Sequence, residues 1–139
     1  LPATLEQQAI EQVRITKSIV ESIVTKDALT NTLNGLGANW YINNAPVKSM
    51  ALTDMLNMHE GNTRYGSAAI DQDLKRFSNL LLRYFPKTEG YFVCRSERAG
   101  DEFKITSMHS TIPELEKRLS AVWQADLHHG LLAWNYGGA

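Results

Sequence analysis

Histidine and cysteine have the broadest chemistry of the side chains in this sequence, because they bind metals, transfer protons and act as nucleophiles. The chain has four histidines, His59, His109, His128 and His129, and one cysteine, Cys94. A tetrahedral zinc site needs three or four ligands that converge in space, and these histidines form neither an H-x-x-x-H nor an H-E-x-x-H pattern. We therefore predict no metal and no cofactor, and keep His109, His128 and His129 as weak candidates for metal ligands.

Nucleophilic or acid–base catalysis is not indicated by the spacing of the reactive residues. Cys94 would need a nearby histidine and an electropositive setting to ionise, and Arg95 should point to the opposite face of a strand. Asp101 and Glu102 are expected at the solvated tip of a hairpin. A glycosidase or nuclease would need two carboxylates at a fixed separation in a cleft, so no reaction type is predicted.

The composition predicts one globular domain over residues 1–139. The net charge is −1, with 14 basic and 15 acidic residues, which argues against a nucleic-acid partner because phosphate binding favours a basic surplus. One cysteine allows no intramolecular disulfide, and no apolar run approaches the roughly 18 residues of a membrane span. The chain begins at Leu1, so a removed anchor before residue 1 stays open, and an extracytoplasmic location is favoured over a cytoplasmic one.

The first segment predicts a long helix over residues 3–26. Leu5, Ala9 and Val13 fall on one face, and Ile15, Ile19 and Ile23 form a second apolar stripe. Because β-branched residues are unfavourable in an isolated helix, packing must stabilise this one. Two interpretations stay open: a core helix of this domain, or a helix that extends toward a partner or a removed membrane anchor, with Ile15 and Ile19 at the interface.

Four shorter segments follow with weaker signals. Asp27 is a plausible cap for a helix that ends at Gly35 or Gly37, and residues 39–46 read as a strand or an extended connection. Residues 49–61 predict a short helix that Ser49 caps and Gly61 ends. Residues 67–85 carry the clearest helical period and predict the central core helix.

The strongest strand signal predicts a hairpin over about 90–108, with a polar turn at residues 98–101. Pairing across that turn places Phe92, Cys94, Phe103 and Ile105 on one face and Val93, Arg95, Lys104 and Thr106 on the other. Cys94 is thus expected among apolar neighbours, where a thiol is inert.

The last helix is predicted from a capping box formed by Thr111 and Glu114. It should end at His128 and His129, with Gly130 as the left-handed stop residue, and a strand over about 131–136 should follow. Helices thus come mostly before strands, which favours an α+β fold: a long N-terminal helix and several shorter helices packed on a small antiparallel sheet.

Aromatic side chains in short segments carry the functional hypothesis. Trp40, Tyr41, Trp134 and Tyr136 lie between turn residues, where such side chains often form interface anchors or ligand-binding walls. We hypothesise a non-catalytic binding or assembly module, for example the soluble domain of an envelope-anchored, filament or secretion-type complex, with a protein partner or self-association. Two alternatives are a small-ligand sensor with an aromatic and methionine-lined pocket, and a small enzyme using His109, His128 or His129 with a carboxylate.

Overall fold

In a computed structural model, the backbone is described for residues 4–24, 26–96 and 100–138, and side chains for all of these except 17–24, 40–42, 44 and 138. The helices are α1 (Leu5–Val24), α2 (Gly35–Asn44), α3 (Met58–Tyr65), α4 (Ser67–Tyr84) and α5 (Ile112–Asp126). The strands are β1 (Ser49–Met55), β2 (Tyr91–Arg95), β3 (Glu102–Ser107) and β4 (Trp134–Gly138).

The four strands form one antiparallel sheet in the order β2-β3-β1-β4. The predicted α+β fold is therefore confirmed, with the hairpin and the C-terminal strand in the expected parts of the chain. β1 lies in the middle of the sheet and pairs with both β3 and β4.

Helices α4 and α5 supply the core on one face of this sheet. Phe77 of α4 is fully buried, with its ring 5.4 Å from the ring of Phe103 and 4.8 Å from that of Trp134. Leu115 and Leu119 of α5 are fully buried in the same cluster. Edge-to-face aromatic packing stabilises such a core beyond the apolar area that it buries, and it confirms α4 as the central core helix.

A buried ionic network attaches the segment before β4 to this core. Arg76 donates from Nε to Asp73 Oδ1 at 3.0 Å and from Nη1 to Asp126 Oδ1, and both carboxylates are at most 6% exposed. The Trp134 indole donates to Asp126 Oδ2 at 2.8 Å, and the Leu132 N–H donates to Asp73 Oδ2 at 3.2 Å. One guanidinium thus neutralises two carboxylates that also fix the entry into β4.

Residues 49–55, predicted as the start of a helix, form the central strand instead. Ala51, Thr53 and Met55 point into the core, while Met50 and Leu52 are half-buried on the other face. Because the inward positions include small and polar residues, the sequence of β1 shows no clear alternation of apolar and polar side chains. Pairing with two neighbouring strands overrides the local helical preference, and the helix begins only at Met58.

The segment from Asp27 to Asn44 also differs from its prediction. Asp27 accepts hydrogen bonds from the backbone and hydroxyl of Thr30 and closes a turn, not a helix. Gly35 then begins α2, which Asn34 caps through the Gly37 N–H at 2.9 Å. Residues 39–46, expected to be extended, therefore lie mostly within a helix, because a side-chain cap starts it upstream.

The hairpin has the opposite side-chain alternation on β2 from the one predicted. Val93 pairs with Ile105 and faces the core, whereas Phe92 and Cys94 point to the other face. β2 ends at Arg95 and β3 begins at Glu102, and the pairing of the two strands is shifted by one residue from the predicted one. Because side chains alternate with a period of two, this change of register exchanged the faces of β2. Cys94 is nevertheless buried beside Leu33 and Ala38, as expected.

The capping box of α5 is confirmed, but the end of the helix is not as predicted. The helix stops at Asp126, and the left-handed residue is His128, with φ 68°. Gly130 lies close to Arg76 instead: a Cβ there would lie 2.5 Å from Arg76 Nη2. A larger residue at this position would therefore have to displace the half-buried guanidinium, and a positive φ is not involved.

The described side chains of α1 lie largely outside this core. Leu5 is 84% exposed and Val13 is 68% exposed, and Ile10 and Ile15 are also exposed. The interpretation of α1 as a core helix is therefore wrong for residues 4–16. Within the described part of the chain, no helix combines the length and the apolarity needed to cross a membrane.

Candidate functional site

Three polar side chains form a row across the face of the sheet opposite α4 and α5. Asp54 near the end of β1 is paired with Glu102 of β3 on one side and with Asn135 of β4 on the other. Directly opposed residues of an antiparallel pair place their Cβ atoms about 5 Å apart on one face. The end of β1 therefore holds Asp54 and Glu102 as neighbouring carboxylates, with Asp54 exposed.

Asp101 directly precedes Glu102 in the chain and lies just before the start of β3. Its carbonyl oxygen accepts from the Met55 N–H at 2.8 Å, which fixes the hairpin against the end of β1. Its Oδ1 is buried and has no hydrogen-bond partner among the residues that the structure describes. A buried, unpaired carboxylate oxygen is unfavourable unless a cation or donor approaches it. The expectation of a solvated hairpin tip at Asp101 is therefore wrong.

The N-terminus of α3 follows the same end of β1 after only Leu56 and Asn57. Asn57 has left-handed dihedral angles, φ 56° and ψ 40°, and its side chain makes no capping hydrogen bond. The N–H groups of a first helical turn attract anions, phosphate in particular. A phosphate at this turn would lie near the end of β1, and carboxylates such as that of Asp54 bind Mg²⁺ together with phosphates.

The open face extends from this row toward α2. Lys104 follows Glu102 by two residues on β3 and lies on the same face. A hollow of about 230 Å³ opens between α2 and the sheet, lined among others by Asn39, Cys94, Ser96, Glu102 and Lys104. A ligand at the Asp54–Glu102 row would thus have a cationic side chain beside it.

The carboxylates fit magnesium better than zinc. The described ranges contain no group of three or more His, Cys, Asp or Glu side chains that could hold an ion unaided. Magnesium is usually bound by one or two carboxylates, waters and the phosphates of a substrate, and the orphaned Asp101 Oδ1 suits that role. Zinc between His109 and His128 is excluded, because the 15 residues of α5 separate them by roughly 20 Å.

Arg95 connects the hairpin to the turn after α1. Its Nε donates to the Gly100 carbonyl at 2.8 Å, and its Nη1 lies 3.3 Å from Asp27 Oδ2. Burial of the Asp27 carboxylate raises its pKa, but hydrogen bonds from Thr30 and the charge of Arg95 more than offset this, so the pKa of Asp27 lies below its usual value. Asp27 therefore stabilises the fold in its ionised form.

We expect Asp27→Asn to lower the free energy of unfolding at pH 7 by about 1.5–3 kcal/mol, as for a charged hydrogen-bonded group. Because the pKa of folded Asp27 is lowered, its stabilisation is fully present above the usual value of 3.8 and is lost as the pH falls through the folded-state value. Urea unfolding of both proteins at pH 7 and pH 3 measures this, with the exposed Glu116→Gln as control. Equal stabilities at pH 7 would contradict the role of this ion pair.

The structure places the aromatic candidates in different surroundings. Trp134 is buried in the core, and Tyr136 is half-buried with its ring 5.9 Å from that of Trp134. Trp40 and Tyr41 belong to α2, and their side chains are not among those that the structure describes. Ile15 is exposed on α1, and the Ile19 side chain lies outside the described part. Their role at an interface stays a prediction.

The candidate histidines do not belong to the strands that carry the carboxylate row. His109 lies between β3 and α5, and His128 and His129 follow α5. His109 is exposed, its Nε2 contacts the Glu89 carbonyl, and its ring lies 5.3 Å from that of Tyr91. His128 and His129 are exposed, and they lie beyond the end of α5, not in its last turn as predicted. His128 lines a separate hollow of about 280 Å³ together with Trp123 and Trp134.

Asp54 and Asp101 were missed as site residues, for two separate reasons. Asp54 was assigned to a helix, where it could not be paired with Glu102. Asp101 was assigned to a turn at residues 98–101. The pairing of β2 with β3 that this turn implies is shifted by one residue from the observed pairing. The signal that could have found Asp101 is the run Gly100–Phe103, in which two acidic residues follow a glycine where a strand begins.

The sequence matches no family model and has no similar sequence among curated proteins. The fold, however, is similar to that of solved structures of GGDEF domains. The GGDEF domain of FimX from Pseudomonas aeruginosa has a TM-score of 0.73 at 14% identity, over 83% of this chain and 78% of that one. The coiled coil and GGDEF domain of DgcB from Caulobacter crescentus, in complex with c-di-GMP, has a TM-score of 0.73 at 16% identity, over 96% and 78%.

A third similar structure is that of the diguanylate cyclase SiaD from Pseudomonas aeruginosa in complex with its activator SiaC. Its TM-score is 0.76 at 13% identity, over 96% of this chain and 56% of that one. Because the structures of the same fold are GGDEF or diguanylate cyclase proteins, the hypothesis of a non-catalytic binding or assembly module is wrong. The alternatives based on an aromatic pocket or on histidines are not supported either. At these identities the similarity establishes the fold: this chain has the fold of GGDEF domains.

Proposed function

We propose that this chain is a GGDEF-like domain of c-di-GMP metabolism that binds GTP with magnesium at the Asp54–Glu102 row. One observation carries the proposal: Gly100-Asp101-Glu102-Phe103 repeats the last four letters of the name GGDEF, in the hairpin beside Asp54. The shared fold supports it, since the similar structures include diguanylate cyclases and complexes with c-di-GMP.

The site offers the groups that a nucleotide triphosphate requires. Asp54 and Asp101 would hold magnesium, which neutralises phosphate charge and polarises the α-phosphate when it is bound. The first N–H groups of α3 would donate to phosphate oxygens. Lys104 lies on the same face and adds a cation. In this proposal, these groups bind and orient a phosphate chain at the end of β1.

The chemistry of c-di-GMP requires two such sites. Each of its two phosphodiester bonds forms when a ribose 3′-oxygen attacks the α-phosphorus of a second GTP, the bond to pyrophosphate breaks, and the 3′-hydroxyl loses its proton. One chain holds one GTP in this proposal, so a second copy must bring the other. The exposed apolar side chains of α1 offer a surface for that copy or for another protein, and the similar SiaD is a complex with its activator.

Binding of c-di-GMP without turnover is a second candidate function. It is favoured by the DgcB structure, which contains c-di-GMP on the same fold. Both candidate functions involve a ligand that contains guanine. Only the first one needs a triphosphate and magnesium. A ligand panel therefore separates them.

The test is isothermal titration of the chain with GTP, ATP and c-di-GMP, each with magnesium and with EDTA. The proposal predicts binding of GTP that EDTA weakens about ten-fold or more, because the phosphates and carboxylates repel each other without the ion. Binding of c-di-GMP alone, unaffected by EDTA, would replace the proposal by the second candidate. Absence of binding for both guanine ligands would contradict a role in c-di-GMP metabolism.

A further inference from the structure

We propose that Arg95 is the positioning residue that holds Asp101 and Glu102 at the candidate site, an inference that rests on the proposed function for its effect on nucleotide binding. Arg95 is the last residue of β2, and Glu102 is the first residue of β3. The connection between them carries Gly100 and Asp101, so the geometry of this loop decides where the carboxylates lie.

The Arg95 side chain is largely buried and contacts one residue of the hairpin loop and one residue of the turn after α1. It is 14% exposed, with Nε donating to the Gly100 carbonyl and Nη1 facing Asp27. Gly100 has φ +71°, a left-handed conformation that glycine adopts without strain. Its carbonyl can therefore turn toward the guanidinium one residue before Asp101.

The other end of this contact is held firmly as well. Asp27 is fixed by the N–H and hydroxyl of Thr30, at 2.9 and 2.8 Å. Leu33, a few residues later, pairs with β2 through the Val93 carbonyl and the Arg95 N–H. The turn at Asp27 is thus tied to the same strand that carries Arg95, and the guanidinium bridges two fixed points.

Lysine cannot reproduce this bridge, which makes the inference testable. The guanidinium donates from two different nitrogens in a planar fork, whereas lysine has one point charge on a flexible stem. Arg95→Lys keeps the positive charge beside Asp27 but cannot hold the Gly100 carbonyl at the same time. Arg95→Met removes both contacts and keeps much of the apolar stem.

The experiment compares wild type, Arg95→Lys, Arg95→Met and the control Arg118→Lys. Arg118 also bridges a carbonyl and a carboxylate, those of Tyr84 and Glu89, and it lies outside the loop between β2 and β3. Two quantities are measured for each protein: amide hydrogen exchange at Gly100, Asp101 and Glu102, and the dissociation constant for GTP with magnesium. The melting temperature reports whether each variant is folded.

We expect Arg95→Lys to melt close to the control but to exchange faster at the three hairpin amides and to bind GTP about ten-fold more weakly, as for supporting residues around a metal site. Unchanged exchange in both Arg95 variants, or a GTP affinity equal to that of Arg118→Lys, would overturn the inference. If the wild type binds no nucleotide, the proposed function fails, while faster exchange in the Arg95 variants still supports the positioning role.

Discussion

Replacing Arg76 by methionine is expected to lower the free energy of unfolding by about 3–5 kcal/mol, the effect of leaving a buried charge without its partner. Asp73 and Asp126 are 6% and 5% exposed, and Arg76 contacts both. Burial lowers the pKa of Arg76, but hydrogen bonds to Asp126 and Asp73 more than offset this and raise its pKa, which shows the same coupling. Methionine keeps most of the stem packing, so the loss isolates the charge.

Urea unfolding followed by tryptophan fluorescence measures this loss, and the exposed Arg83→Met on the same helix is the control. If Arg76→Met does not fold, the triple variant Asp73→Asn, Arg76→Met, Asp126→Asn should recover stability, since no buried charge remains. A loss below about 1 kcal/mol for Arg76→Met, typical of a surface ion pair, would show that the network is not what holds β4 in place.

The second large effect concerns the candidate site. Asp54→Asn is expected to weaken binding of GTP with magnesium by about 10–100-fold. A charge-assisted contact contributes about 1.5–3 kcal/mol, and each 1.4 kcal/mol corresponds to about a factor of ten in affinity. Asp54 is exposed at the end of β1, so its replacement should leave the melting temperature nearly unchanged.

Isothermal titration of wild type, Asp54→Asn, Glu102→Gln and the control Glu116→Gln tests this effect. Glu116 is exposed on α5, outside the carboxylate row. The expected order is unchanged affinity for the control and weaker binding for Asp54→Asn. An Asp54→Asn protein that binds GTP as tightly as wild type, at an unchanged melting temperature, would remove Asp54 from the site.

Much of the fold could be predicted from the sequence because its signals are local. The capping box at Thr111 and Glu114, the period of α4 and the strand alternation before and after the hairpin turn each depend on neighbouring residues. These signals were sufficient for the α+β class and for the order of the later elements. β1 was missed because its assignment depends on pairing with β3 and β4, which are distant in the sequence.

The site could not be predicted for the same physical reason. Asp54 and Glu102 are 48 positions apart, as their numbers show, and become neighbours only through the register of β1 and β3. The assignment of Asp54 to a helix removed that pairing, and the wrong register of β2 left Asp101 at a solvated tip. A hydrogen bond such as Met55 N–H to the Asp101 carbonyl has no signal in the local sequence.

The most direct test of the central claim is a titration of the ¹⁵N-labelled chain with GTP and magnesium, followed by two-dimensional NMR. We predict that the amide signals of Asp54, Asp101, Glu102 and the first turn of α3 shift together and saturate, and that EDTA reverses the shifts. Signals that stay unchanged at these residues, or shifts confined to the hollow around His128 and Trp123, would contradict a nucleotide site at the end of β1.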